Sequence, residues 1–211
     1  MDTLGGVLAL QGKKPLVNEG FWSLVAFADT AGAHEVKALY KDGQPETVHN
    51  IHILWACWAY LAKNRQVYKT TADVTQEVDN FYEFLSNIST ADIEAGIEWE
   101  RQASEQVEAC LWKEIEIKGK FFRVFNSDGV FCNAGYYSPV KNRIADCVIT
   151  FNNKLKNITI SFPADCEFNA CLIMQEIFGK EAGGHRNIAG TPRGVEYSLR
   201  DIDKVLEYFI I

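Results

Sequence analysis

From about residue 21 to residue 112 the apolar positions recur at helical spacing. Val36, Leu39 and Tyr40 fall at helix intervals, Asp42-Gly43 interrupts the run, and Pro45 suits the first turn of the helix that follows. The next stretch, TVHNIHILWACWAYLAK, is apolar on most sides, which predicts a buried helix. Thr71 can cap another helix, whose Val74, Val78, Phe81 and Leu85 form one stripe. Ser89-Thr90-Ala91-Asp92 reads as a capping box opening a helix that carries Ile93, Ile97, Val107 and Leu111. Trp55, Trp58, Trp99 and Trp112 fall on these stripes and read as packing residues.

Beyond Lys113 the period shortens to that of strands. EIEI, a turn at Lys118-Gly119-Lys120, FFRVF and a turn at Ser127-Asp128-Gly129 come first; DCVITF and NITISF then flank Asn152-Asn153 as a hairpin. Residues 169–178 return to helical spacing and Gly179 ends that helix. A glycine-rich loop, a short strand GVEYSL and a last helix over 201–209 follow. The pattern predicts an α+β fold: a mainly helical region over 1–112, then a mixed β-sheet domain with flanking helices over 113–211, the junction falling between 111 and 114. No internal repeat or Pro/Ser-rich linker interrupts it.

With 47% hydrophobic and 23% charged residues in 211, the chain has the make-up of a protein with a core, which excludes collagen-like, disordered and low-complexity classes. Twenty-one basic residues against 28 acidic give a net charge of −7, so long nucleic acid bound nonspecifically is not an expected partner. The most apolar run, 51–61, is about half the roughly 20 residues a membrane helix needs, so no membrane partner is expected. The six cysteines are never two apart, and MDTLGGVLALQGKK carries its lysines after its apolar run, unlike a secretory signal. Reduced thiols and a cytoplasmic location are the expectation.

One segment, FGKEAGGHRNIAGTPRG over 178–194, carries candidate chemistry. Gly183 and Gly184 leave the backbone bare, so that amide groups can approach an anionic oxygen; His185 adds a donor or a proton; Arg186 and Arg193 add fixed charge; Asn187 can donate or accept. The competing reading is a helix C-cap followed by a surface histidine. Phe121, Phe122, Phe125, Phe131, Tyr136 and Tyr137 are candidates for base stacking, Tyr136-Tyr137 foremost for its loop-like setting, against strand core. His49 and His52 share a helical face, which suits hydrogen-bonded core histidines better than a metal. No Gly-x-Ser-x-Gly elbow is present, and the glycines follow a helix rather than a strand, unlike Rossmann and P-loop cradles.

FGKEAGGHRNIAG, preceded by strand, hairpin, strand and helix, resembles the Gly-Gly-Gly-His-x-x-Ala-Ala-Gly signature that ends the DHH-associated domain of DHH-superfamily phosphoesterases. That superfamily includes RecJ-type exonucleases, oligoribonucleases, cyclic-dinucleotide phosphodiesterases and exopolyphosphatase-like proteins. The similarity runs back through DIEAGIEWERQASEQVEACLWKEIEIKGKFFRVFN, so it spans about 92–194, roughly half the chain. It implies that Gly183, Gly184 and His185 hold a phosphate or terminal nucleotide, with Ala189 and Gly190 packing the turn beneath. Three positions depart from the pattern: Ala182 replaces the first glycine, Ile188 the first alanine, and Ser161-Phe162-Pro163 stands where the family often has Ser-x-Arg.

The family's metal half uses an Asp-His-His triplet and further aspartates to bridge two divalent ions. No such triplet occurs among His34, His49, His52 and His185. FADTAGAHE is similar to an Asp-Thr-Gly segment of some relatives, which makes Asp29 and His34 weak candidates, and one aspartate cannot hold two ions. The resemblance therefore implies the phosphate- or nucleotide-binding half of a phosphoesterase, a hydrolase by class. Its ligand would be a short oligonucleotide, dinucleotide or polyphosphate. Manganese is expected only where a complete site is present or supplied by another chain, so a catalytic role implies a protein partner bringing the metal half or a nonstandard site near Asp29 and His34; a homo-oligomer is a separate partner candidate. The alternative is a non-enzymatic binding or assembly protein that keeps the fold and uses its helical half as a partner surface.

Overall fold

A computed structural model describes residues 2–13, 17–64 and 70–210. It divides into two compact units: Met1–Thr30 with Leu39–Ala103, and Ala31–Ala38 with Ser104–Ile211.

The first unit is helical. It contains α1 (Asp2–Leu10), α2 (Glu19–Ala31), most of α4 to α6, namely α4 (Pro45–Lys63), α5 (Thr71–Ser86) and α6 (Thr90–Ala109), and the end of α3 (Ala33–Asp42). Pro45 opens α4 as expected, and the apolar run behind it buries Ile51, Ile53, Leu54, Trp55, Ala56 and Cys57. Ser89 and Asp92 form the expected capping box, with the Ser89 amide donating to Asp92 Oδ2 at 2.9 Å and the Asp92 amide to Ser89 Oγ at 3.2 Å.

Three expectations are corrected here. The α5 cap is Thr70, not Thr71, because Asp73 stands three residues on and returns the hydrogen bond to the Thr70 amide. Val74 is 44% exposed, and Glu77 joins Val78, Phe81 and Leu85 in the buried stripe. The helix stops at Ala109, so Leu111 and Trp112 lie in a strand and Trp112 is 43% exposed.

The second unit is built on a six-stranded sheet in the order β1-β2-β5-β6-β8-β7. Its strands are β1 (Leu111–Ile117), β2 (Lys120–Ser127), β5 (Cys147–Asn152), β6 (Asn157–Ser161), β7 (Gly183–Gly184) and β8 (Ile188–Gly190); β3 (Tyr137–Ser138) and β4 (Arg143–Ile144) pair separately. Only β2 and β5 run parallel, which makes the sheet mixed. Lys118 and Gly119 both take positive φ, 49° and 78°, and this closes the predicted β1–β2 turn tightly. Asn169 caps α7 (Ala170–Phe178) by accepting from the Leu172 amide, and Gly179 ends it at φ 91°. The chain finishes with a 3-10 turn at Leu199–Asp201 and α8 (Ile202–Ile210).

One sheet face packs Ile158, Ile160 and Ala189 against Ile173 and Met174 of α7 and Val205 and Leu206 of α8. On the other face Phe125 and Val148 meet Cys132 and Tyr136. The α+β arrangement expected from the pattern is the one the chain adopts: helices first, then a mixed sheet with flanking helices. GVEYSL, however, is not a strand. Gly194 turns the chain at φ 78°, and Ser198 already engages Asp201 to start the last helix, so too few residues remain for a ladder. Among the described residues no helix is long and apolar enough to cross a membrane.

Candidate functional site: a glycine hairpin and two adjoining pockets

The glycine-rich segment is a β-hairpin rather than a loop, which corrects the expectation of bare amides above a turn. Gly183 pairs with Gly190 and Gly184 with Ala189, and the His185 amide donates to Ile188 O at 2.7 Å across the tip. Ala189 and Gly190 are thus strand residues, tied on their other side to Ile160 and Thr159. Antiparallel pairs alternate between hydrogen-bonded and open. Since His185 bonds Ile188 and the Ala189 position bonds toward β6, Gly184 turns its own amide and carbonyl to the free edge of the sheet. On either side of the two glycines the amides are engaged, that of Ala182 by Gly179 O and that of His185 by Ile188 O. One amide, that of Gly184, remains aimed outward.

The hairpin tip is pinned. The Arg186 carbonyl accepts from the Ala170 amide at 2.6 Å and the Asn187 carbonyl from the Phe162 amide at 2.8 Å, which joins it to the start of α7 and the end of β6. Gly184 has φ 155°, and a Cβ there would stand 2.3 Å from Ile188 O and 2.6 Å from Ala189 Cα. Only glycine fits that close approach. Around Gly183, by contrast, a Cβ would meet nothing within 4 Å.

On the sheet face away from α7 and α8 lies a cleft of about 720 Å³. Gly183, Gly184, His185 and Arg193 line it together, with Thr159 from β6 and Glu181 from the approach to the hairpin. His185 and Arg193 are exposed. The other two expected residues point elsewhere: the Arg186 guanidinium reaches toward the Cys166 carbonyl at 3.5 Å, and Asn187 lines a second, smaller pocket. The sequence reading did not pick out Asn157 and Thr159, although the alternation in NITIS places them on the face opposite Ile158 and Ile160.

The second pocket, about 240 Å³, adjoins the first across Ile188. Gly32, His34, Phe131, Tyr136, Ser161 and Asn187 are among its walls. Asp29 is exposed on α2, whereas His34 is buried near the start of α3. Burial, aided by Lys37 and opposed by Asp165, pushes the His34 imidazole down to about 4, so it is uncharged near neutrality. The unfolded chain, with an ordinary histidine near 6.5, takes up the proton first as pH falls. No penalty exists above about pH 6.5, and one of about 3 kcal/mol develops as pH drops toward 4. Across that window the urea midpoint of the wild type should fall relative to that of His34→Phe as the pH is lowered. Parallel curves would refute the assignment. Lys37, Asp165 and Glu35 are present in both proteins, so the difference isolates His34.

Among the described residues no group of three or more His, Cys, Asp or Glu side chains is arranged to hold a metal ion. The donors among the described residues therefore do not fit a two-ion centre. His52 Nε2 lies 3.3 Å from Tyr40 Oη and its ring packs on Trp55, the hydrogen-bonded packing role expected for it. Of the stacking candidates, Phe121, Phe122 and Phe125 are withdrawn into the core, because β2 is buried on both faces. Tyr137 donates its hydroxyl to Asn142 Oδ1. Phe131 and Tyr136 line the second pocket.

No protein-family model matches the chain, and neither does any curated protein. Among solved structures it is similar to a pGpG-specific phosphodiesterase, PggH, from Vibrio cholerae, at 11% identity and a TM-score of 0.46, covering 97% of this chain and 70% of that one. It is also similar to an uncharacterized protein from Helicobacter pylori G27, at 17% identity and a TM-score of 0.32, covering 91% and 53%. A third likeness, to a putative family II inorganic pyrophosphatase from Methanococcus jannaschii, has 12% identity and a TM-score of 0.30, covering 85% and 65%.

Proposed function

We propose that this chain is the phosphate-binding half of a DHH-type phosphoesterase, holding one phosphate of a short nucleotide in the cleft on the β7–β8 hairpin. The observation that carries the reading is the grouping of Gly183, Gly184, His185 and the exposed Arg193 along one cleft, at the motif that resembles the DHH-associated signature. An amide aimed outward, a planar guanidinium and an imidazole are the donors a phosphate oxygen takes. Charge favours a single phosphate over a polyphosphate chain. Arg193 is the one arginine or lysine in the lining, and Glu181, which also lines the cleft, adds negative charge that repels further phosphates. The chain supplies binding, and a partner chain supplies the metal half and the hydrolytic step.

Calorimetric titration of the whole chain with a mononucleotide, a linear dinucleotide and polyphosphate, with and without manganese, tests this. A 5′-phosphorylated mono- or dinucleotide should bind, and Arg193→Ala should weaken it about tenfold to a hundredfold, the loss expected for a charge-assisted hydrogen bond. Polyphosphate should bind no better than a single phosphate. Absence of any nucleotide binding by the folded chain would leave the non-enzymatic assembly role in its place. Manganese-dependent hydrolysis by this chain alone would overturn the division of labour.

A further inference from the structure

The cleft on the hairpin has more room than a phosphate fills. Its volume, about 720 Å³, lies within the roughly 300–1,000 Å³ of sites that enclose a whole small ligand, so further parts of a nucleotide share it. Among the described residues that line it there is no phenylalanine, tyrosine or tryptophan, so a base lacks the broad aromatic face it stacks on. The floor is bare peptide: Gly190 of β8 pairs with Gly183 of β7 on one side and with Thr159 of β6 on the other. Such walls suit the sugar of a nucleotide better than its base. Glu181 and Arg193 line the cleft with opposite charge, both exposed, yet no ion pair joins them, and neither side chain makes a hydrogen bond or ion pair with any described residue. The backbone that carries Glu181 is held in place. The Ala182 amide donates to Gly179 O at 2.9 Å, the Ala182 carbonyl accepts from Gln175 Nε2 at 3.2 Å, and Ala182 itself is buried.

We propose that Glu181 accepts hydrogen bonds from the vicinal ribose hydroxyls of a nucleotide whose phosphate sits at the hairpin and Arg193, so that the cleft selects ribonucleotides over deoxyribonucleotides; this rests on the phosphate reading of the same cleft. A carboxylate repels a phosphate, so its place in the lining costs affinity unless another part of the ligand donates to it. Ionised, it accepts and cannot donate. A vicinal diol offers two O–H donors to its two oxygens, and an acidic side chain holds the ribose 2′-hydroxyl in the same way in dinucleotide-binding folds. Arg193 serves the other end of the ligand, where only acceptors are present. The two charges stay apart because each matches a different part of one molecule.

Adenosine and guanosine 5′-monophosphates and their 2′-deoxy forms, titrated by calorimetry into the whole chain without added divalent metal, test it. The wild type should bind each ribonucleotide about tenfold more tightly than its deoxy form, the loss expected for a hydrogen bond to a charged group. Glu181→Ala, a change at an exposed position, should abolish that preference by weakening the ribonucleotides, while the deoxynucleotides bind at least as tightly as before because a repelling charge is gone. A merely structural role would weaken both sugars together. Equal wild-type affinity for the two sugars, with both weakened by Arg193→Ala, overturns the ribose contact and leaves the phosphate reading standing. Binding of neither form overturns both. A loss in Glu181→Ala that follows the base and not the sugar assigns the carboxylate to a base edge and also overturns the proposal.

Discussion

Replacing Arg123 with alanine is expected to destabilise the fold by about 4 kcal/mol, a large share of the roughly 5–15 kcal/mol that holds a domain together. The side chain is wholly buried in β2 and every arm of its guanidinium is engaged. Nε donates to Glu114 Oε1 at 3.0 Å, Nη2 to Glu108 Oε2 at 2.6 Å, and Nη1 to the carbonyls of Gly135 and Tyr137. Alanine leaves two carboxylates facing each other's neighbourhood without a counter-charge and two carbonyls without a donor, which is the costly way to break a buried pair. Arg123→Lys keeps the charge and loses the fork, so about half the loss is expected. Chemical unfolding followed by tryptophan fluorescence reads both. A loss below about 1 kcal/mol for the alanine variant would show that the network contributes little.

The same network bears on the second pocket. Gly135 and Tyr137 flank Tyr136, whose ring packs on His34. Arg123 therefore acts as a positioning residue: by fixing two carbonyls it fixes the wall that holds the imidazole.

How much of this was legible in the sequence depended on range. Ser89 with Asp92, Lys118-Gly119 and Gly179 declare caps and turns through residues at most three apart, and each is found where the pattern places it. Thr70 was missed in favour of Thr71 because both are threonines, and only the reach of Asp73 decides between them. The hairpin was read as a loop because two glycines carry no strand propensity. Their pairing is imposed by β8, which is itself held by β6. Arg123 gave no signal at all: in FFRVF it reads as the polar member of an alternating strand, yet its partners lie 9 to 15 residues away on several segments. The small pocket was partly visible through Tyr136, but Gly32, Phe131 and Ser161 come together only in three dimensions. His34, a weak metal candidate in the sequence, is buried with an unpartnered Nε2 and stands in no group of three or more metal-ligating side chains among the described residues.

Two neighbouring glycines should respond in opposite ways, and the contrast separates folding from binding. Gly184→Ala is expected to destabilise by about 3 kcal/mol, because its Cβ would lie 2.3 Å from the Ile188 carbonyl oxygen and 2.6 Å from Ala189 Cα. Neither is the end of a flexible side chain, so β7 must move away from β8, and the positive φ of 155° adds strain. Gly183→Ala meets nothing within 4 Å, so stability should change by no more than about 0.5 kcal/mol. Ala182 is buried on the core side, hence strand alternation directs a methyl at position 183 toward the cleft, which Gly183 lines. Its effect should fall on the ligand. Binding of a phosphorylated nucleotide is expected to weaken about tenfold in Gly183→Ala with an unchanged melting temperature, the loss of roughly one well-placed hydrogen bond as the phosphate is held off the Gly184 amide. Thermal melts and calorimetric titrations of the two variants, side by side, decide it. If Gly183→Ala binds as the wild type does, the phosphate does not sit against this edge, and if Gly184→Ala melts as the wild type does, the hairpin does not close as described.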